Sequence, residues 1–265
     1  MTTASRATQA DLLEQRIAEN RQSQEVDLVA WIFERARINP TDQILELCCG
    51  TGGQTLRMLD SLDENGRVVA LDLSATALET LAGKASGEKS LNLTTVQASL
   101  DELSPALERS GFRRPAFDLV FCAYGLYYSQ NARSTLHEAR NWLKPHGRIV
   151  VVGPFGPNNS QLFEMVEASG ITLAEAVVSS SRRFMLETVV PWAALQFATV
   201  RISTMVNPVR WATPERVLNY WQNTTFYDAA RKPAFEALLE RHFAKHGQFV
   251  NEKWVMMVEM QDARS

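Results

Sequence analysis

The sequence predicts an α/β fold, a doubly wound, mostly parallel sheet with helices on both faces, and three observations carry that prediction. Between residues 43 and 153 short apolar runs of strand length alternate with helical patterns. The runs are dense in Val, Ile and Leu without polar alternation, as strands buried on both faces are. The first run ends in an acid and a glycine-rich turn, ILELCCGTGGQT, which leads into a helix and marks where such a sheet holds a ligand.

The strands follow in order as QILELC (43–48), RVVALD (67–72), NLTTVQ (92–97), FDLVFCA (117–123) and RIVVVG (148–153). Between them, SATALETLAGKA opens on Ser74 as an N-cap, and ARSTLHEARNWLKPHG keeps helical spacing until Pro145 and Gly147 stop it. Two further helical patterns, residues 8–20 and 24–37, precede the first strand and are closed off by Pro40. Beyond Gly153 the alternation breaks into a loop, GPFGPNN, helical stretches at 160–168 and 182–195, and alternating residues at 197–206. Thr213 caps a helix containing RVLNYW, Pro233 starts another through FEALLERHFAKHG, and Phe249 to Met260 reads as a last strand. Seven strands result. The expected organisation is a helical lid over 1–40, a cofactor-binding core over 41–155, and substrate-side helices with terminal antiparallel strands over 156–265, all of one domain.

Composition narrows the function classes. A chain of 265 residues with 45% hydrophobic and 22% charged residues is ordinary for a globular protein. No segment approaches the roughly 20 uninterrupted apolar residues of a membrane helix, and the N-terminus lacks a signal-peptide core, so a soluble, cytoplasmic protein is expected. A net charge of -3 gives no pull on polyanions, which argues against nucleic acid as partner. Three cysteines, two of them adjacent at Cys48 and Cys49, form neither a disulfide framework nor a zinc spacing. Small thiols packing a tight turn describe the pair, and no catalytic role is assigned to it. Metal is not expected: His242 and His246 have i, i+4 spacing but no third ligand and read as a solvated helix face, while His137 and His146 are not convincing bases.

The chemistry gathers at the first turn. Gly50 and Gly52, without a Cβ, let backbone approach a ligand and take positive φ, and the helix start that follows offers N–H groups. A dinucleotide fingerprint would place its third glycine where Thr55 stands, and no GK[ST] follows for a phosphate loop. Twenty residues beyond Gly52, Asp72 ends the second strand, placed to accept both ribose hydroxyls of an adenosine group.

Through ILELCCGTGG, VVALDLS, FDLVFCAYGLYY and LKPHGRIVVVG, in that order over about residues 40–155, the sequence resembles the class I S-adenosylmethionine-dependent methyltransferase family. The resemblance implies a Rossmann-like sheet and S-adenosylmethionine as cofactor. It implies that Glu46 sits near the methionine amino group, that Gly50 and Gly52 line the cofactor with Cys48, Thr55 and Ala123 beside them, and that Asp72 holds the ribose. Leu73 packs on adenine, and Ala98, Ser99 and Leu100 border its polar edge. Cys48 stands where the family usually has its first glycine, Ser99 where an acid often meets the adenine amine, and His146 in the LKPHG turn where the family usually has glycine.

Ligands in doubly wound sheets bind beyond the carboxyl ends of the strands, which points to AYGLYYS and GPFGPNN. Tyr124, Tyr127 and Tyr128 can surround a sulfonium with ring faces, and plain packing serves each of them equally. Asn158 can bond a polar acceptor, although Asn158 and Asn159 after Gly-Pro also suit a turn, and Ser203 to Trp211 falls where such enzymes commonly build the acceptor cavity. The function expected is methyl transfer to a small molecule, in line, by proximity and desolvation, with a dedicated base optional. Two alternatives stay open: a cyclase or lyase of the same fold that releases methylthioadenosine, of the azetidine-2-carboxylate-forming type, and a noncatalytic cofactor-binding protein. An NPPY-like turn of nucleic-acid amino methyltransferases is not matched by AYGLYY, and an oligomer through the appended helices is compatible with the pattern.

Overall fold

The computed structural model describes residues 10–85 and 87–264. Its strands are β1 (Gln43–Leu47), β2 (Arg67–Asp72), β3 (Leu93–Gln97), β4 (Phe117–Ala123), β5 (Leu143–Pro154), β6 (Phe197–Trp211) and β7 (Phe249–Ala263). They form one seven-stranded sheet in the order β3-β2-β1-β4-β5-β7-β6. The β1, β2, β3, β4 and β5 pairings are parallel. The chain winds outward from β1 in one direction and from β4 in the other, and right-handed crossovers then set helices on opposite faces. Residues 196 with 264, 199 with 262, and 211 with 249 lie together; one number falls as the other rises, so β6 and β7 run antiparallel.

Contacts group the described residues into two compact units. One holds Val29–Gly153, Phe184–Ser203 and the residues from Met256 on. It contains α2 (Leu28–Ala36) from Val29 on, α3 (Gly53–Leu59), α4 (Ala75–Lys84), α5 (Leu103–Arg109) and α6 (Ala132–Asn141). Its central strands β1, β2, β4 and β5 are apolar because both their faces are covered: Ile44, Leu45, Val68, Leu71, Leu119, Val120 and Val150 are fully buried, each burial contributing about 1.5–3 kcal/mol. β3, at the sheet edge, departs from the expected burial on both faces: Thr94, Thr95 and Gln97 are exposed and only Val96 is buried. The foot of β5 is fixed by an interior charge. Arg148 donates to the carbonyls of Ala36 and Arg37 and to Asp42 at 3.0 Å, so its buried guanidinium is paired and bonded.

The other unit holds the described residues up to Leu28, Pro154–Arg183 and Thr204–Val255. It contains α1 (Ala10–Ser23), α7 (Ser160–Ala168), α8 (Glu175–Val178), α10 (Pro214–Gln222) and α11 (Lys232–His246) around a core that includes Phe163, Trp211, Trp221, Phe235 and Phe249. A π-helical turn, Ser179–Arg183, follows α8, and a second, Met185–Val189, precedes α9 (Val190–Gln196) in the first unit. The expected lid thus appears as two helices that group with different units; residues 1–9 lie outside those described.

Several local expectations change. LKPHG does not end a helix: α6 stops at Asn141 and β5 has begun by Leu143. Between the pairs Phe117↔Leu143 and Leu119↔Arg148 the β5 side spans five residues against two, a bulge in which His146 takes φ 65°. The segment Ser203–Trp211 lies along β6, where Asn207 serves both backbone groups of Val26 and Trp211 is core. Thr213 precedes α10 without a side-chain cap, Pro214 supplying the start. Ser74 does cap α4, accepting from Ala77 N–H. Among the described residues no helix is long and apolar enough to cross a membrane.

Candidate cofactor site

At the carboxyl end of β1 the backbone leaves the sheet through Cys48 and Gly50, both left-handed at φ 58° and 54°. Cys48 therefore occupies a conformation that a side chain pays about 1–2 kcal/mol to adopt, which is why glycine suits this position in the family it resembles. The thiol is held in place: Cys48 lies against Cys122, and that contact, with burial adding, pushes its pKa well up. Burial also raises Cys49. Both stay protonated thiols, the packing role expected of them. Gly52, at φ 87°, starts α3, and a Cβ there would meet the Leu81 side chain at 2.3 Å, so this glycine serves the approach of α3 to α4.

Two carboxylates bracket the turn. Asp72, at the end of β2, accepts from Gly50 N–H at 2.8 Å and from Ser74 N–H at 2.9 Å, one bond on each oxygen. A carboxylate has about four acceptor positions, so capacity for two hydroxyls remains. Glu46, in β1, is 2% exposed and accepts from the Thr55 hydroxyl at 2.5 Å. Burial pushes its pKa up to about 8, with Thr55 opposing and the nearby Asp72 charge adding. Thr55 is fully buried, so its hydroxyl acts on Glu46. Among the described residues no cation is ion-paired to either acid. A ligand carrying both a hydroxylated sugar and positive charge fits this donor set, and S-adenosylmethionine has both.

The rest of the expected set flanks this pair. Leu73 is 57% exposed beyond β2, an apolar side chain held out of the core where a base can lie on it. Ala98 bonds its N–H to the Asp72 carbonyl, Ser99 caps the turn Leu100–Glu102 by accepting from Asp101 N–H, and Leu100 is buried. Ala123 is half-buried at the end of β4. Tyr124 follows it at φ 57° with its N–H on Val152. Tyr127 and Tyr128 lie on the short turn Leu126–Tyr128, ring centroids 4.8 Å apart. Asn158 belongs to the other unit, and both ends of its amide are engaged, donating to Ser181 Oγ at 2.8 Å and accepting from Trp254 N–H at 3.0 Å. Among the described residues no group of three or more metal-ligating side chains occurs. Sequence reasoning missed the Thr55–Glu46 bond, the Cys48–Cys122 contact and Phe184, whose ring meets Tyr127 edge-on at 5.9 Å; the one sequence signal for the bond was the i, i+9 spacing of an acid and a hydroxyl across the glycine turn.

Residues 44–147 match the family model described as a methyltransferase domain. The demethylmenaquinone methyltransferase of Lactococcus lactis is 34% identical over 125 residues, 46% of this chain and 47% of that protein. A 2-phytyl-1,4-naphtoquinone methyltransferase from Nostoc is 31% identical over 46% of this chain and 51% of its own length. The chain thus spans about half the length of the curated relatives it matches. Among solved structures, the YcgJ protein of Bacillus subtilis superposes with a TM-score of 0.63 at 12% identity, covering 89% of this chain and 98% of that one, which supports the fold.

Proposed function

We propose, for a chain whose residues 44–147 form a class I S-adenosylmethionine-dependent methyltransferase domain, that the protein transfers the methyl group of this cofactor to a small molecule, and that a naphthoquinol-type ring is the first acceptor class to test. The observation that carries the cofactor reading is the pair of carboxylates, Glu46 and Asp72, on either side of a left-handed turn and, among the described residues, without an ion-paired cation. The acceptor class comes from the two relatives named for quinone-type substrates.

When bound, the cofactor supplies a methyl group on a positively charged sulfur. The chain's share of the work is placement. Asp72 holds the sugar hydroxyls while its own bonds to Gly50 and Ser74 keep the carboxylate aimed; Glu46 takes the amino group; Leu73, with Ala98, Ser99 and Leu100, bounds the base. Gly50, Gly52, Cys48, Thr55 and Ala123 shape the turn around it. Tyr124, Tyr127 and Tyr128, at the turn after β4, are the rings that would stabilise the positive charge of the bound sulfonium, by about 0.5–2 kcal/mol each once water is excluded. Asn158 supports the loop after β5. Alignment and desolvation supply the acceleration.

The test is product identification with pure protein. Incubation with S-adenosylmethionine and a reduced 2-prenyl-naphthoquinone should yield S-adenosylhomocysteine and a ring product heavier by one methylene. Methylthioadenosine formed without any acceptor would overturn transfer in favour of cyclisation or elimination, and tight binding without turnover over a broad acceptor panel would overturn enzymatic action.

A further inference from the structure

The geometry points to Phe184 as a specificity-determining residue that, with Tyr127, grips a planar aromatic ring in the acceptor position. This rests on the acceptor side proposed above and adds to it a residue and a recognition chemistry. Two contacts fix where Phe184 stands. Its ring meets Tyr127 at 5.9 Å and 87°, and Tyr127 lies on the turn directly after β4. The next residue, Met185, packs over the end of β5, for a Cβ on Gly153 would lie 2.9 Å from its sulfur. Residue 184 thus sits above the carboxyl ends of β4 and β5, the side of a doubly wound sheet on which ligands bind.

The winding of the chain supports a dedicated placement. Phe184 joins two π-helical turns, Ser179–Arg183 and Met185–Val189. Such turns are rare and collect at functional sites because they re-aim side chains that regular winding would turn elsewhere. Pro191 contributes, since it lacks the N–H that α-winding would send to the Glu187 carbonyl inside the second turn. Met185 and Val189, in that turn, are buried, while Phe184 is only half-buried and keeps ring surface outside the core.

Two rings meeting edge to face leave a corner in which a third ring can lie against one face and one edge. Each such aromatic pair changes affinity by about twofold to tenfold. A saturated ring of equal size gains only its area. The corner therefore selects planar aromatic acceptors over aliphatic ones.

Binding to protein loaded with S-adenosylhomocysteine tests this without requiring turnover. The probes are 2-naphthol and its saturated twin, decahydro-2-naphthol, titrated by calorimetry. Phe184→Leu should weaken 2-naphthol by about threefold to tenfold, Phe184→Tyr should restore it, and decahydro-2-naphthol should change less than about twofold. Unaltered affinity for S-adenosylhomocysteine shows that each variant is folded; if Phe184→Leu is not, Phe184→Met is the second ring-free variant. Equal loss of both probes, no loss of 2-naphthol in a folded ring-free variant, or no binding of 2-naphthol by the unsubstituted protein overturns the inference. Selective 2-naphthol binding without methyl transfer to any acceptor of a broad panel would sink the proposed function and leave the aromatic corner standing.

Discussion

A carboxyl that is 2% exposed, bonded to one threonine hydroxyl and close to a second acid, keeps its proton into the neutral range. The folded chain holds that proton up to about pH 8, whereas the unfolded chain releases it near the ordinary value of 4.5. Between those values the native state binds more protons than the unfolded one, so the contribution of Glu46 to stability falls as pH rises, by about 1.4 kcal/mol per unit. Glu46→Gln removes the titration. Urea unfolding at pH 5, 6.5 and 8 should therefore show the wild type losing stability relative to the variant as pH rises; a difference that stays flat with pH would refute the assignment. A cationic ligand favours the ionised acid, so adenosylmethionine binding should strengthen toward pH 8 and release a proton, visible by calorimetry in two buffers of different ionisation enthalpy. The sequence showed Glu46 as the acid of the turn but not its protonation, because the proton is held by burial, against the opposing Thr55 bond, and burial depends on how the turn packs around the carboxyl.

The turns after β1 and β4 are packed to a tolerance that one methyl exceeds. A Cβ on Gly125 would stand 2.2 Å from Cys48 Cβ and 2.6 Å from its sulfur, with the Cys122 sulfur next at 3.6 Å. Gly125→Ala should therefore cost about 3 kcal/mol, the overpacking range. Cys48→Gly takes away both clashing atoms and relieves a left-handed residue, leaving an ordinary contact to Cys122. The double variant should recover most of the loss in a denaturation cycle, and simple additivity of the two changes would refute the packing account. The same scale separates what was legible from what was not. The central parallel strands β1, β2, β4 and β5 were readable because burial on both faces demands runs of Val, Ile and Leu, the exposed edge strand β3 only from its place in the alternation, and Ser74 because capping is local chemistry. LKPHG misled because Pro145 and Gly147 punctuate a bulge inside β5 as readily as a helix end, and only pairing with β4 decides between them. Phe184 was invisible because the two π-helical turns that flank it break the 3.6-residue period by which a helix face is read. Asn158 looked available for an acceptor until Ser181 and Trp254, 23 and 96 residues away, took both ends of its amide.

At the scale of the molecule, the sheet order brings the end of β2 beside the end of β1, so Asp72 reaches Gly50 across 22 positions of sequence and ties ligand binding to the topology of the core. Binding should then read out as global stabilisation of the unit that contains both residues. At a ligand concentration 100 times Kd, linkage gives about 2.7 kcal/mol, which for a unit of this size raises Tm by about 5–10 °C. Asp72→Asn keeps the shape but cannot accept on both sides, and losing charge-assisted bonds to ligand and backbone should weaken binding by about 10- to 100-fold. At the same ligand concentration the shift should shrink to at most about 5 °C, falling below 2 °C at the larger loss, while the ligand-free variant melts lower as well because Gly50 or Ser74 loses an acceptor. Differential scanning calorimetry with and without S-adenosylhomocysteine separates the two effects. A full ligand shift in Asp72→Asn would mean that the sugar is held elsewhere, since the carboxylate is the one group that links the glycine turn, the second strand and the hydroxyls in a single set of bonds.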